Sequence, residues 1–264
     1  MIFDLVPFSH EVDLLKCRIE MLWNVIDKFV IFESNLSHTL KPKNLNFLDN
    51  CRVFENFKDK IIYITGKFNH SNPFYNDWEG RNRLFNVVSE QSDDSILYHS
   101  DLDELPRPEV LKDVIKNLNK PITFKTKYSM FCIDLYGRES VDGILLKRGW
   151  VNDSFHTYRD NRGNFHVKDY FTFVENAGWH YSFNAPIENI LLKLEYFCHA
   201  NEFLSEYRHK DYLINCIKQK KGIEVDSKPG SLIKLELNEE NIPVYLLKNK
   251  EKYKEFFSDF YKNL

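Results

Sequence analysis

The sequence predicts an α/β fold with a mainly parallel sheet flanked by helices. Short apolar runs recur through the first hundred or so residues, Lys28-Phe29-Val30-Ile31-Phe32-Glu33 among them. Between them lie stretches with helical spacing or polar loops, the alternation that builds βαβ units. The fourth apolar run ends in acids and prolines, Asp101-Leu102-Asp103-Glu104-Leu105-Pro106. Open α/β sheets bind ligands beyond strand ends of this kind.

Met1 to Pro7 opens the chain as a strand. Val12, Leu15, Ile19, Leu22 and Ile26 follow the three-four spacing of one helix face. Glu11 and Asp13 fall in its first turn, where the helix dipole favours acids. Lys28 to Glu33 is the second strand, followed by a polar loop to Pro42; Lys60 to Thr65 is the third. Trp78 to Gln91 reads as a helix with Leu84, Val87 and Val88 inward. Ser95 to Ser100 is the fourth strand, and Pro108 opens a helix running to Leu118. From Ile122 to about Phe173 short alternating runs are punctuated by Gly137, Gly143, Gly149 and Gly163, the texture of mixed or antiparallel strands. Ala185-Pro186 opens another helix, Glu206 to Lys218 forms the next, residues 222–242 are irregular, and Glu251 to Tyr261 closes the chain as an amphipathic helix. No internal repeat or linker divides the chain, so 1–264 reads as one domain, with halves meeting near residue 120.

Composition narrows the function. The net charge is −3 and no basic block stands out, which argues against a nucleic-acid partner. No apolar run reaches membrane-spanning length, and the N-terminus lacks the pattern of a signal peptide. The five cysteines are far apart and form no C-x-x-C pair, which argues against a disulfide framework or zinc site and predicts a reducing, cytoplasmic setting, in solution or peripheral to a membrane.

Residues i and i+2 of an extended segment point the same way, so Asp101 and Asp103 at a strand end can aim two carboxylates at one point. Such a point suits a hard divalent cation, Mn²⁺ or Mg²⁺, carrying a substrate's phosphates. A solvated acidic turn is the competing reading. Glu33-Ser34-Asn35 also lies at a strand end and is placed to face the same crevice.

Further motifs stand with these: His10-Glu11-Val12-Asp13-Leu14-Leu15, Ala177-Gly178-Trp179-His180-Tyr181-Ser182, and Val244-Tyr245-Leu246-Leu247-Lys248-Asn249. Together with the Glu-Ser-Asn and Asp-Leu-Asp pieces, in this order, they make the chain resemble glycosyltransferase family 17. The resemblance implies a fold of the GT-A type, Rossmann-like in residues 1–120, which would bind the nucleotide sugar, and mixed α/β in 121–264, which would bind the acceptor. It implies an inverting enzyme that uses a UDP-sugar, typically UDP-N-acetylglucosamine, on a glycan or polysaccharide-precursor hydroxyl.

Under that resemblance, Asp101 and Asp103 are the metal ligands, with Asp101 also able to reach the ribose. His180 or His199 completes the metal site; either is equally readable as a hydrogen-bonded core imidazole. Glu188, in a helix first turn, is the candidate general base, with Asp153 and Glu175 behind it. Glu33 and Asn35 can bond the uracil or ribose. Arg81 can pair with the diphosphate, or be an exposed helix arginine. Trp179 and Tyr181 can stack on a sugar or pack in the core. A non-catalytic nucleotide-sugar or glycan-binding module, and a glycoside hydrolase built on a carboxylate pair, are the alternatives; the second suits an i, i+2 pair poorly, since its carboxyls stand about 5–10 Å apart across a sugar.

Overall fold

The computed structural model describes residues 1–162, 171–184, 186–223, 230–262 and 264. The chain starts with β1 (Ile2–Phe8), α1 (Val12–Leu22), β2 (Lys28–Ser34), the short α2 (Asn46–Asp49), a 3₁₀ stretch (Cys51–Lys60), β3 (Ile61–Gly66), α3 (Pro73–Val88) and β4 (Ile96–His99). β3, β2, β1 and β4 lie side by side in that order, every pair parallel. Then come β5 (Glu104–Pro106), α4 (Pro108–Lys116), β6 (Ile122–Met130), β7 (Leu135–Lys147), α5 (Phe155–Asp160) and β8 (Thr172–Ser182). β7 joins the sheet antiparallel to β4, and β6 antiparallel to β7. β8 runs parallel to β6 and antiparallel to β5. The rest is α6 (Ile187–Tyr196), α7 (Lys210–Gln219), β9 (Ile233–Lys234) against β7, α8 (Val244–Lys248) and α9 (Ser258–Tyr261). The α/β class holds; the all-parallel block is the first four strands of the order, and beyond it only β6 and β8 pair parallel among the described residues.

The order β3-β2-β1-β4-β7-β6-β8-β5 puts three strands between β4 and β5. Yet only a tight turn joins them, closed by the Glu104 amide donating to the Asp101 carbonyl at 3.0 Å. Neighbouring strands are about 4.8 Å apart, so a flat sheet would stretch that turn beyond its reach. β7, β6 and β8 must therefore curl round and return β5 to the carboxyl end of β4. This curl makes the concavity that holds the candidate site.

α1 packs on the sheet through Leu15, Ile19 and Leu22, all fully buried, each worth roughly 1.5–3 kcal/mol of burial. Arg18 lies on the same buried face, and its guanidinium clasps Asp4 of β1 with N–O distances of 2.7 and 2.8 Å. The remaining donors reach the Ser100 hydroxyl and the carbonyls of Asp101 and Glu104. A buried arginine on a helix thus sets the conformation of the turn after β4.

Three helix expectations change. α3 begins at Pro73 rather than Trp78, because the Asn72 side chain caps it by accepting from the Phe74 amide at 3.0 Å. The predicted helix from Glu206 is a 3₁₀ turn (Ser205–Arg208) followed by α7, separated by extended His209. The closing helix from Glu251 is also broken. Phe257 is extended, which delivers the Ser258 amide and hydroxyl to buried Asp134 at 2.8 and 2.7 Å. Satisfying that buried carboxylate outweighs local helix propensity. Gly163, Ala185 and the part of the irregular stretch at 224–229 lie outside the described residues. None of the five cysteines is in a disulfide. Among the described residues no helix is long and apolar enough to cross a membrane.

Candidate active site

A cavity of about 620 Å³ opens beyond the carboxyl ends of β1, β2 and β4, under the curl of the sheet. Asp101, Asp103, Arg81, His180 and His199 all line it, a volume within the usual range for small-molecule sites. Residues 101–103 form a turn rather than the expected extended segment. The two aspartates nevertheless face one cavity, because Arg18 and the Glu104 side chain, which accepts from the Asp101 amide at 3.1 Å, pin the turn.

Asp101 meets Arg81 Nη1 at 2.9 Å and Arg159 Nη2 at 3.1 Å. Burial works against its ionised form, but the two arginines hold its pKa well below the usual carboxylate range. Arg81 also donates to His99 Nε2 at 3.0 Å. An arginine only donates, so that nitrogen accepts and Nδ1 carries the proton to the Leu5 carbonyl, 2.7 Å away. Burial, aided by the charge of Arg81, keeps His99 neutral. Asp103 is clasped by Lys193 of α6 at 2.5 Å, and His180 Nε2 stands 3.9 Å from the same carboxylate oxygen.

His180 arrives on β8, directly across from Glu104 of β5. Its other ring nitrogen, Nδ1, lies 3.1 Å from Asp142 of β7. Asp142 is buried and accepts further hydrogen bonds from the hydroxyls of Thr126 and Ser140. Burial lowers the pKa of His180, but the carboxylate of Asp142 overrides it and lifts the value to about 9. Ligand atoms of Glu104, Asp142 and His180 fall within 4.8 Å of one another. The sequence patterns missed Asp142 and Arg159. Neither belongs to a local motif; only the strand pairing of β6, β7 and β8 and the seating of α5 bring them in.

Seven of the candidate site residues do not line the cavity. Glu33 is fully buried and consumed as the cap of α2, accepting from the amides of Asn46 and Phe47, from Tyr63 and from Lys43. The neighbouring Asn35 is exposed, while Ser34, between them, faces the cavity. Trp179 is core: Arg107 stacks on its ring at 4.2 Å. Tyr181, expected to stack or pack, also packs, 1% exposed. Glu188 stands on the surface, bonded to Lys210 at 2.9 Å. Asp153 and Glu175 are also exposed and absent from the lining. Gly178 has a clear packing reason to be glycine: a Cβ there would meet the Leu105 carbonyl oxygen at 2.2 Å. His199 is partly exposed, with Nδ1 2.7 Å from Glu202 and its ring edge-on to Phe74.

The cavity carboxylates differ in one respect. Glu11 faces Lys193, Asp77 holds Arg81, and Asp101 and Asp103 are paired as described. Asp160, at the end of α5, makes no ion pair or hydrogen bond with the described residues. Partial burial raises its pKa.

The donor set of Asp101, Asp103 and His180 suits a hard divalent cation: carboxylate oxygens plus one imidazole whose second nitrogen is anchored by a carboxylate. Lys193 would have to share or yield Asp103 for such an ion to bind.

Two solved structures follow a similar course at a TM-score of 0.40 and 11% identity. One is the 2-C-methyl-D-erythritol 4-phosphate cytidylyltransferase of Francisella tularensis, covering 66% of this chain and 89% of that one. The other is the inositol-1-phosphate CTP transferase from T. maritima, covering 73% and 96%. By sequence, the β-1,4-mannosyl-glycoprotein 4-β-N-acetylglucosaminyltransferase of Rattus norvegicus is 25% identical, over 73% of this chain and 42% of its own length. The Homo sapiens protein of that name is 24% identical over the same shares. The chain thus spans less than half the length of these curated relatives. The sequence model of glycosyltransferase family 17 matches residues 1–258, and the chain belongs to that family.

Proposed function

We propose that the protein is a metal-dependent, inverting glycosyltransferase that moves N-acetylglucosamine from a UDP-sugar to a hydroxyl of a glycan or polysaccharide precursor. The observation that carries this reading is the pairing of Asp101 and Asp103 in one cavity with His180 and a set of cationic side chains. Family membership supports transfer of a sugar, and the relatives' name supports N-acetylglucosamine as the sugar.

Mn²⁺ or Mg²⁺ would be held by Asp101, Asp103 and His180, where it would neutralise the charge that builds on the leaving diphosphate. The chain's own residues do the rest. Arg81 and Arg159 fix Asp101 from two sides, so its carboxylate is set before the donor arrives. The acceptor hydroxyl loses its proton to a cavity carboxylate as its oxygen bonds the anomeric carbon. The bond from that carbon to the diphosphate oxygen breaks, and UDP departs with the electron pair. Asp160 is the carboxylate suited to take the proton: it lines the cavity and makes no ion pair with the described residues. Glu188 would have to reach in from the surface.

The test is UDP release from UDP-N-acetylglucosamine with Mn²⁺ present. Asp103→Ala and excess EDTA are each expected to abolish release. Full release in EDTA would sink the metal dependence, and hydrolysis of simple glycosides without UDP release would favour a hydrolase. For Asp142→Asn we expect Mn²⁺ affinity, measured by calorimetry, to fall about ten- to a hundred-fold, since the amide no longer anchors the imidazole as a carboxylate does. Unchanged affinity would separate Asp142 from the metal site.

A further inference from the structure

We infer that Arg159, and not Arg81, grips the diphosphate of the donor, using its Nε and Nη1 groups. The inference rests on the UDP-sugar reading above and names a residue for it.

Arg159 sits on α5 and lines the cavity, yet its side chain is only 2% exposed. Its Nη2 is spent on Asp101 and Glu104. Its Nε and Nη1 are buried without a hydrogen-bond partner among the described residues. Leaving charged donors buried and unpaired is costly, so a guanidinium held this way is prepared for an acceptor that comes from outside the chain. Two N–H groups of one planar fork match two oxygens of a phosphate.

The other cavity cations have less to offer. Arg81 directs Nε and Nη2 to Asp77, and Nη1 to Asp101 and His99. Arg162 donates Nε to the Val141 carbonyl and Nη1 to that of Arg159. Lys193 is held between Asp103 and Glu11. Arg81 is therefore a positioning residue that sets Asp101, and Arg159 is the cavity cation whose two buried donors lack a partner among the described residues. Asp101 and Glu104 brace the far side of its fork and orient the open edge.

The experiment is calorimetric titration of the whole chain with uridine, UDP and inorganic pyrophosphate, in EDTA so that metal plays no part. Wild type should bind UDP more tightly than uridine. Arg159→Lys keeps a charge but loses the fork; it should weaken UDP and pyrophosphate about ten- to a hundred-fold and leave uridine unchanged. Equal loss for uridine, or no loss for UDP, would overturn the assignment. A second measurement needs no variant: in ¹⁵N-labelled wild type, the Arg159 Nε–H resonance should shift on adding pyrophosphate while that of Arg81 stays put. A shift at Arg81 alone would also overturn it. If wild type itself does not prefer UDP to uridine, the donor reading fails rather than the choice of arginine.

Discussion

Replacing Asp160 with Asn is expected to slow UDP release about a hundred- to ten-thousand-fold, the range a general base contributes. UDP affinity should stay as in wild type. The variant keeps the size and polarity of the side chain but cannot accept the proton. Asp160 has no partner among the described residues, so among them the exchange strands no cation, and the fold should stay undisturbed. Glu188→Gln is the comparison: Glu188 is exposed, bonded to Lys210 and outside the cavity, and its variant should release UDP at close to the wild-type rate. The outcome that rejects this assignment is an Asp160→Asn protein within a few-fold of wild type, or one that loses affinity for UDP along with rate.

The largest effect on stability is expected from Arg18→Ala, about 3–5 kcal/mol. Arg18 and Asp4 are both fully buried, and their guanidinium–carboxylate pair is bidentate. Truncating the arginine leaves the Asp4 carboxylate inside the sheet with no cation. It also strips a donor from the Ser100 hydroxyl and from the carbonyls of Asp101 and Glu104. Urea unfolding should show the lowered midpoint. A double variant, Asp4→Leu with Arg18→Met, removes both charges and should recover much of the stability, as buried pairs exchanged for apolar groups often do. It should not recover UDP release, because the turn carrying Asp101 and Asp103 has lost its anchor. Full recovery of both would mean that Arg18 serves only the core. A single variant as stable as wild type would sink the argument outright.

Much of the fold was legible. The parallel half announced itself by apolar runs separated by helical spacing, and β1, β2, β3 and β4 all fall within a residue or two of their predicted bounds. The second half was readable only as mixed strands, because its pairings join distant segments such as β6 with β8. Helices failed where a buried polar group intervened, as Asp134 does before α9.

The site was legible by motif and illegible by contact. The acidic turn and His180 stand together, as their motifs suggested. Glu33 belongs to an equally specific motif but caps a helix, because a carboxylate buried at a strand end takes the nearest amides. Trp179 lies one residue from a cavity histidine and faces the opposite way, as alternation along a strand requires. Arg159 and Asp142 are ordinary residues in sequence, and tertiary packing alone gives them a place.

The β5–β8 ladder, with Gly178 letting the two backbones close up, has a consequence for motion. The Tyr181 amide donates to the Asp103 carbonyl, and the Arg107 amide to that of Ala177. The acidic turn and the histidine are therefore fastened by the same few amides, and an opening of this short edge would take both apart in a single event. Amide exchange at Tyr181 and Arg107 should then proceed at one common rate, and the population of that opened form sets how often the cavity is without its acids and its imidazole together.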